Sequence, residues 1–217
     1  MSPDGRNPSV RTIWIPMPDK AIEDTAQLLP LLKNAARVAV VGIGSELRGD
    51  DAAGLLALEH LRQRLKTSSP SKKQRRKKPV VKLFNGGTAP ENMTGEIRRF
   101  KPSHLVMLDA VELGKRPGTI ELLDIKKAEN ISFLTHKLPV KLMLDYLANE
   151  MTFTTIFIGI QPKSLDFGAP VSKEVSHAVR VLADWLNASA PSLLYSSDDK
   201  RRTNSRQPRQ SPAQRAK

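Results

Sequence analysis

The sequence predicts a three-layer α/β/α protein built on a mostly parallel five-stranded sheet. Three observations predict it. Short, near-continuous apolar runs recur along the chain, the pattern of strands buried on both faces as in a parallel sheet. Segments with apolar residues at helical spacing stand between them, so strand and helix alternate as in crossover units. With 217 residues and 39% hydrophobic content, the chain can bury one full α/β core.

The elements follow in order. Residues 1–18 hold four prolines and read as an irregular arm. Residues 19–34 have partial helical character, weakened by Pro30, so 1–36 is expected to be a partly helical N-terminal extension. Arg37 to Ile43 (RVAVVGI) is the first buried strand, closed by Gly42 and Gly44. Asp51 to Leu65 sets Leu55, Leu58, Leu61 and Leu65 on one face of an amphipathic helix, with Asp50 as its expected N-cap. Residues 67–79 (TSSPSKKQRRKKP) form a basic, polar insertion. Val80 to Phe84 is the second strand, and Asn85, Gly86 and Gly87 turn the chain. Thr88 and Glu91 have the spacing of a capping box for a helix to about Phe100, with Pro90 in its first turn.

His104 to Ala110 (HLVMLDA) is a third buried strand, and Thr119 to Ile125 is a shorter one after the turn at Lys115–Gly118. Leu138 to Met151 is a helix with Leu138, Leu142 and Tyr146 on one stripe and Pro139 in its first turn. Phe153 to Ile160 is a β-branched and aromatic strand ending in Gln161-Pro162. Ser172 to Leu186 is the last helix, with Val175, Val179, Leu182 and Leu186 toward the core. From Ala188 the chain is rich in Ser, Pro, Gln and Arg and is expected to be disordered. The folded domain is thus expected at 37–187, with a basic tail at 188–217.

Composition removes several functions. No cysteine is present, so disulfides, thiolate nucleophiles and Cys-ligated metal centres are excluded. No apolar run approaches the ~20 residues that cross a bilayer, and Met1 to Pro18 contains no signal-peptide core. The expectation is a soluble, cytoplasmic protein acting as a monomer. The net charge of +13 suggests nucleic acid until it is mapped. Segment 72–78 (KKQRRKK) and the tail from Ser196 hold eleven of the thirteen charges, which leaves the rest nearly neutral. That segregation, without interleaved aromatics, argues against a nucleic-acid-binding face.

Ligands of an open α/β sheet sit beyond the carboxyl ends of its strands. The polar residues there are Gly44–Asp51, Asn85–Thr88, Asp109, the pair Thr135 and His136, and Gln161. Two carboxylates and an imidazole form an oxygen and nitrogen donor set that suits nickel, zinc, manganese or iron. Each residue also has a plainer reading. Asp50 and Asp51 could both be acids at a helix N-terminus, Asp109 could cap a turn, and a lone His136 is commonly structural. Gly86 and Gly87 could admit a substrate backbone or serve a tight turn alone. In Gly42-x-Gly44-x-x-Leu47 the third glycine of a dinucleotide fingerprint is missing, and no GxSxG elbow or Walker A motif occurs.

VVGIGSELRGDDAAG (40–54), NGGTAPEN (85–92), HLVMLDAVELGKRPGTI (104–120), THKLP (135–139) and FIGIQP (157–162) resemble, in order, the motifs of the hydrogenase maturation protease family. The branch that processes the hydrogenase 3 large subunit is the most similar. The resemblance covers roughly residues 37–187. It implies a twisted, phosphorylase/hydrolase-like sheet and an aspartic-type, nickel-dependent endopeptidase. The implied substrate is the precursor of a nickel–iron hydrogenase large subunit, which would lose its C-terminal extension. The resemblance places the catalytic and metal residues on Asp51, Asp109 and His136, and suggests Gly86, Gly87 and Gln161 for substrate binding. The Ni2+ would be the one already loaded in the precursor, with Zn2+ or Cd2+ able to replace it in crystals. Two departures stand out: Ser45 where members commonly have Asn, and Ala52 where many have Gly. A factor that binds metal or precursor without hydrolysis is the competing expectation, because all three residues are ligands and none is an obvious catalyst.

Overall fold

The five apolar runs become five strands of one sheet. The structure, a computed structural model, describes residues 10–12, 28–32, 34–67, 79–123, 137–189 and 194–195. In chain order the elements are β1 (Val10–Thr12), α1 (Leu28–Leu31), β2 (Arg37–Ile43), α2 (Ala53–Thr67), β3 (Val80–Gly87), α3 (Thr94–Phe100) and β4 (His104–Ala110). There follow β5 (Ile120–Leu123), α4 (Lys137–Glu150), β6 (Phe153–Ile160), α5 (Lys173–Ser189) and β7 (Leu194–Tyr195). The sheet order is β1-β6-β4-β2-β3-β7, parallel throughout, with β5 antiparallel on β6.

Parallel neighbours need crossovers, and the helices supply them on both faces. Alternate strand residues Val38, Val40, Val106, Leu108, Ile156 and Ile158 share one core with Leu58 and Leu61 of α2 and Val175, Val179, Leu182 and Leu186 of α5. Their neighbours Val41, Leu105, Met107 and Phe157 share a second core with Ile97 of α3 and Met143 and Leu147 of α4. The three layers are therefore those the sequence predicts. β4 lies between β2 and β6, and every one of its residues is buried. Full burial of a large aliphatic side chain contributes ~1.5–3 kcal/mol. Four such residues in β4 make it the strand best able to carry a buried acid, Asp109.

Several elements differ from expectation. In the proline-containing arm, Val10–Thr12 pairs with Phe153–Thr155 of β6. That stretch of edge is available because β5 covers only Phe157–Ile160. In the segment expected to be disordered, Leu194–Tyr195 pairs with Val80–Val81 of β3. The link from β4 to β5 is too short for a parallel crossover, so β5 returns antiparallel. Both α2 and α3 begin with a 3-10 turn, Gly49–Ala52 and Pro90–Met93. The capping box does not form: the Thr94 hydroxyl and N–H both bond to the carbonyl of Glu91, and no side chain caps α3. On α4 the stripe of Leu138, Leu142 and Tyr146 faces outward, 67%, 55% and 43% exposed. Val140, Met143, Leu144, Leu147 and Ala148 form its buried face instead. The basic segments 72–78 and 196–217 lie outside the described residues.

Candidate active site

β2, β3, β4 and β6 point their carboxyl ends to one edge of the sheet. β2 and β3 slip register there between Gly42 and Ile43, and the Gly44 N–H donates to the Gly87 carbonyl at 2.9 Å. The chain then closes a tight loop from Gly44 to Asp51. A Cβ on Gly44, which has φ +132°, would stand 1.8 Å from the Asp51 carbonyl oxygen, so the loop requires glycine at its start. Asp51 is buried, and its Oδ2 accepts the Ser45 N–H at 2.9 Å. Its Oδ1 is also buried but has no hydrogen-bond partner. Burying a carboxylate oxygen without a donor is costly, so this atom is suited to a cation, a proton or a substrate donor.

Asp109 is fully buried one residue before the end of β4. Strand alternation puts it on the same side as Leu105 and Met107, toward α3 and α4. Gly54 brings the first turn of α2 close to the strand that carries Asp109. A Cβ there would lie 2.2 Å from the Leu108 carbonyl oxygen and 2.4 Å from that of Ile43. The first turn of α2 therefore rests directly on β2 and β4, and the turn carrying Asp51 packs against β4. This close helix–strand approach is the one a dinucleotide fingerprint achieves with its third glycine; here Gly54 provides it.

Thr135 and His136 lie outside the described residues; α4 begins at the next residue, Lys137. Among the described residues, no three His, Asp or Glu side chains form a metal-sized group. Asp51 and Asp109 are two of the three expected ligands.

Asp50 is not a helix cap. It is 1% exposed, and its carboxylate reaches the loop between β6 and α5. Oδ2 accepts the N–H groups of Lys163 at 2.8 Å and Ser164 at 3.4 Å, and Oδ1 accepts that of Ser172 at 2.6 Å. The Asp50 N–H in turn donates to the Ser164 carbonyl at 3.0 Å. Asp50 thus pins the turn that carries Asp51 to the last crossover. The Lys163 ammonium lies 2.8 Å from Glu174, which raises the Lys163 pKa and lowers that of Glu174.

Gln161 is also buried. Its Oε1 accepts the N–H groups of Leu113 at 2.6 Å and Lys115 at 3.2 Å, while Nε2 donates to Glu112 and to the Pro162 carbonyl, each at 2.9 Å. These contacts use all four positions of the amide and fix the loop after β4. Gly86 packs among Val41, Gly42 and Pro90, whereas a Cβ at Gly87, which has φ +53°, would meet only Asn85 Oδ1, at 3.9 Å. An acid that the sequence reads as half of a capping box lies at the same edge. Glu91 Oε2 is buried without a partner, in the 3-10 turn packed on β3 and α4. A carboxylate immediately after an apolar strand and its glycine turn was the available signal. Ser45 and Ala52 are both accommodated: the Ser45 hydroxyl accepts the Leu47 N–H at 3.3 Å, and Ala52 has no positive φ.

The Ser–His contact of Ser103 Oγ with His104 Nδ1, at 3.0 Å, lies at the opposite edge. That hydroxyl also donates to the Arg37 carbonyl and accepts the N–H groups of Ala36 and Arg37, so it is a backbone clamp and not a nucleophile.

The fold agrees with what known proteins show. A family model described as hydrogenase maturation protease matches residues 66–187, more than half of the chain. The chain belongs to the hydrogenase maturation protease family. The matched span holds Asp109, His136 and Gln161, while Asp51 precedes it. A protein of Methanocaldococcus jannaschii provisionally named a hydrogenase maturation protease is 34% identical, over 68% of this chain and 85% of its own length. The Hydrogenase 3 maturation protease of Escherichia coli is 31% identical, over 64% of this chain and 82% of its own. The crystal structure of the [NiFe] hydrogenase maturation protease HycI from Thermococcus kodakarensis superposes with a TM-score of 0.64 at 28% identity, covering 76% of this chain and 99% of that one. Among the described residues of this hydrogenase maturation protease, no helix is long and apolar enough to cross a membrane.

Proposed function

We propose that this hydrogenase maturation protease is an endopeptidase that removes the C-terminal extension of a nickel-loaded large-subunit precursor, and that Asp51, Asp109 and His136 hold the precursor's nickel during the cut. The observation that carries the reading is the buried, unpartnered Oδ1 of Asp51 on a turn packed against the strand of Asp109. Carboxylate oxygens and one imidazole form a donor set that nickel accepts. His136 joins the set through the family resemblance and its place in the sequence, immediately before α4. The name of the Escherichia coli relative supports a hydrogenase 3 large subunit as the substrate class.

With the nickel held, the scissile bond lies beside a carboxylate. With Asp51 Oδ1 on the nickel, Asp109 would take a proton from the attacking water and return it to the leaving amine, so no covalent enzyme intermediate is needed. The uncrowded position of Gly87, where a Cβ would meet only Asn85 Oδ1 at 3.9 Å, leaves room for a substrate backbone beside β3, and Gln161 acts on the substrate through the loop it fixes.

The test is the mass of the nickel-loaded precursor before and after incubation with the wild-type chain and with Asp51→Asn and His136→Ala. A shorter precursor with wild type alone supports the reading. An unchanged mass with wild type, when the precursor is nickel-loaded and bound, identifies a non-hydrolytic maturation factor instead.

A further inference from the structure

α4 is apolar on two faces. One is consumed by the core through Val140, Met143, Leu144, Leu147 and Ala148. The other, Leu138, Leu142 and Tyr146 at successive i, i+4 positions, is exposed over about 12 Å of helix. Scattered exposed leucines need no explanation, but three in register on one helix form a surface.

The placement of this surface is informative. Because α4 leads into the first residue of β6, its N-terminal end stands at the carboxyl edge of the sheet, and Leu138 follows His136 by two positions. The other large exposed hydrophobic residues among those described, Leu47 and Phe167, belong to the loops after β2 and β6. Those loops open on the same edge and are tied together by the Gly168 N–H donating to the Leu47 carbonyl at 2.8 Å. The exposed apolar groups thus flank the candidate site or run away from it. The stripe's polar flank is already neutralised. Lys141 binds Asp145 at 2.7 Å, and Arg98 holds the Tyr146 hydroxyl at 3.1 Å while facing Glu150 at 3.5 Å. Such a flank is less costly to cover than lone charges.

We propose that the outer face of α4 docks an amphipathic helix of the same precursor, outside the tail that is cut. A row at i, i+4, i+8 spacing is the ridge that fits the groove of a second helix. This inference rests on the proposed proteolytic function for its choice of partner. It adds that the protease recognises a folded apolar surface of the precursor along a helix that starts beside the candidate site.

The test compares wild type with Leu142→Glu and the conservative Leu142→Met, using the full chain and the purified nickel-loaded precursor. Binding is measured by calorimetry, processing by mass, oligomeric state by sedimentation and folding by thermal unfolding. The expected result is an unchanged unfolding midpoint for both variants. For Leu142→Glu, Kd and KM should rise tenfold or more with a smaller change in kcat, and Leu142→Met should bind as wild type does. Wild-type affinity in Leu142→Glu overturns the docking surface whether or not the precursor is cut. Cleavage by wild type in that same experiment leaves the proteolytic reading standing. Binding without cleavage by wild type, abolished in Leu142→Glu, retains the surface and removes the proteolysis. A wild-type chain that neither binds nor cuts overturns both. A wild-type dimer that Leu142→Glu splits, with precursor binding unchanged, assigns the face to a second copy and overturns the proposal.

Discussion

Replacing Asp50 with alanine is the perturbation whose magnitude the structure fixes best. The carboxylate accepts two short backbone N–H bonds, from Ser172 at 2.6 Å and Lys163 at 2.8 Å, and a weaker one from Ser164 at 3.4 Å. A hydrogen bond to a charged group contributes ~1.5–3 kcal/mol, and its loss strands a part-buried donor. Taking the lower figure, since water can enter the part-buried loop, and counting the two short bonds gives about 3 kcal/mol. A lost helix cap would cost about 1 kcal/mol. For a domain of this size, about 3 kcal/mol lowers the unfolding midpoint by roughly 6–12 °C. Asparagine keeps one acceptor oxygen but turns an amide toward N–H donors, so Asp50→Asn should fall between wild type and Asp50→Ala. The assay is thermal unfolding at neutral pH, with precursor processing measured well below both midpoints. Processing should fall with Asp50→Ala, because the turn it releases also carries Asp51. A midpoint within about 2 °C of wild type would refute the strut.

Asp51→Asn should behave oppositely: its carbonyl oxygen still accepts from Ser45 and a neutral amide replaces a buried charge, so thermal unfolding should show equal or greater stability while processing is lost. Gly54→Ala pushes a methyl group into the carbonyls of Leu108 and Ile43, and should lower both the unfolding midpoint and processing, whereas Gly95→Ala in α3, whose Cβ would meet only the end of the Arg99 side chain at 3.8 Å, should leave processing intact. Gln161→Leu strands the N–H groups of Leu113 and Lys115; amide exchange should quicken in 111–118, and unchanged exchange there would show that the amide does not fix that loop. Burial lowers the His104 pKa. The unfolded chain therefore takes up a proton first, and stability from this group falls as pH drops through about 6.5 toward the folded pKa. Denaturant titrations should show His104→Gln with a shallower loss over that interval.

The layers and the parallel sheet were legible because buried strands are written as unbroken apolar runs, and β4 is the clearest. Asp109 stood out as a candidate because an acid at the end of such a run has few structural reasons to be there, and Asp51 because it lies in the loop after β2 within a motif that resembles the family's. The role of Asp50 was not. Its partners are backbone N–H groups 113 to 122 residues away, and backbone donors leave no mark in a sequence. Periodicity also could not choose the face of α4. Leu138, Leu142 and Tyr146 satisfy the helical repeat as well as Val140, Met143, Leu144 and Leu147 do, and only the packing of the second core separates them. The capping box at Thr88 and Glu91 failed for a related reason, since a 3-10 turn intervenes and shifts the helix start to Thr94.

The two sides of the sheet guard against aggregation differently. On the outer side of β6, β1 covers Phe153–Thr155 and β5 covers Phe157–Ile160, so the edge there is made of two strands only three and four residues long, too short to template a long pairing. On the outer side of β3, among the described residues, β7 pairs only with Val80 and Val81. Beyond that point β3 carries a charge at Lys82, set over the Phe84 ring at 5.2 Å, and then Asn85, Gly86 and Gly87. Lysine and weak strand formers are the residues that keep an open edge from recruiting another chain. The side beside β6 is protected by the shortness of its edge strands, and the side beside β3 by the chemistry of its residues.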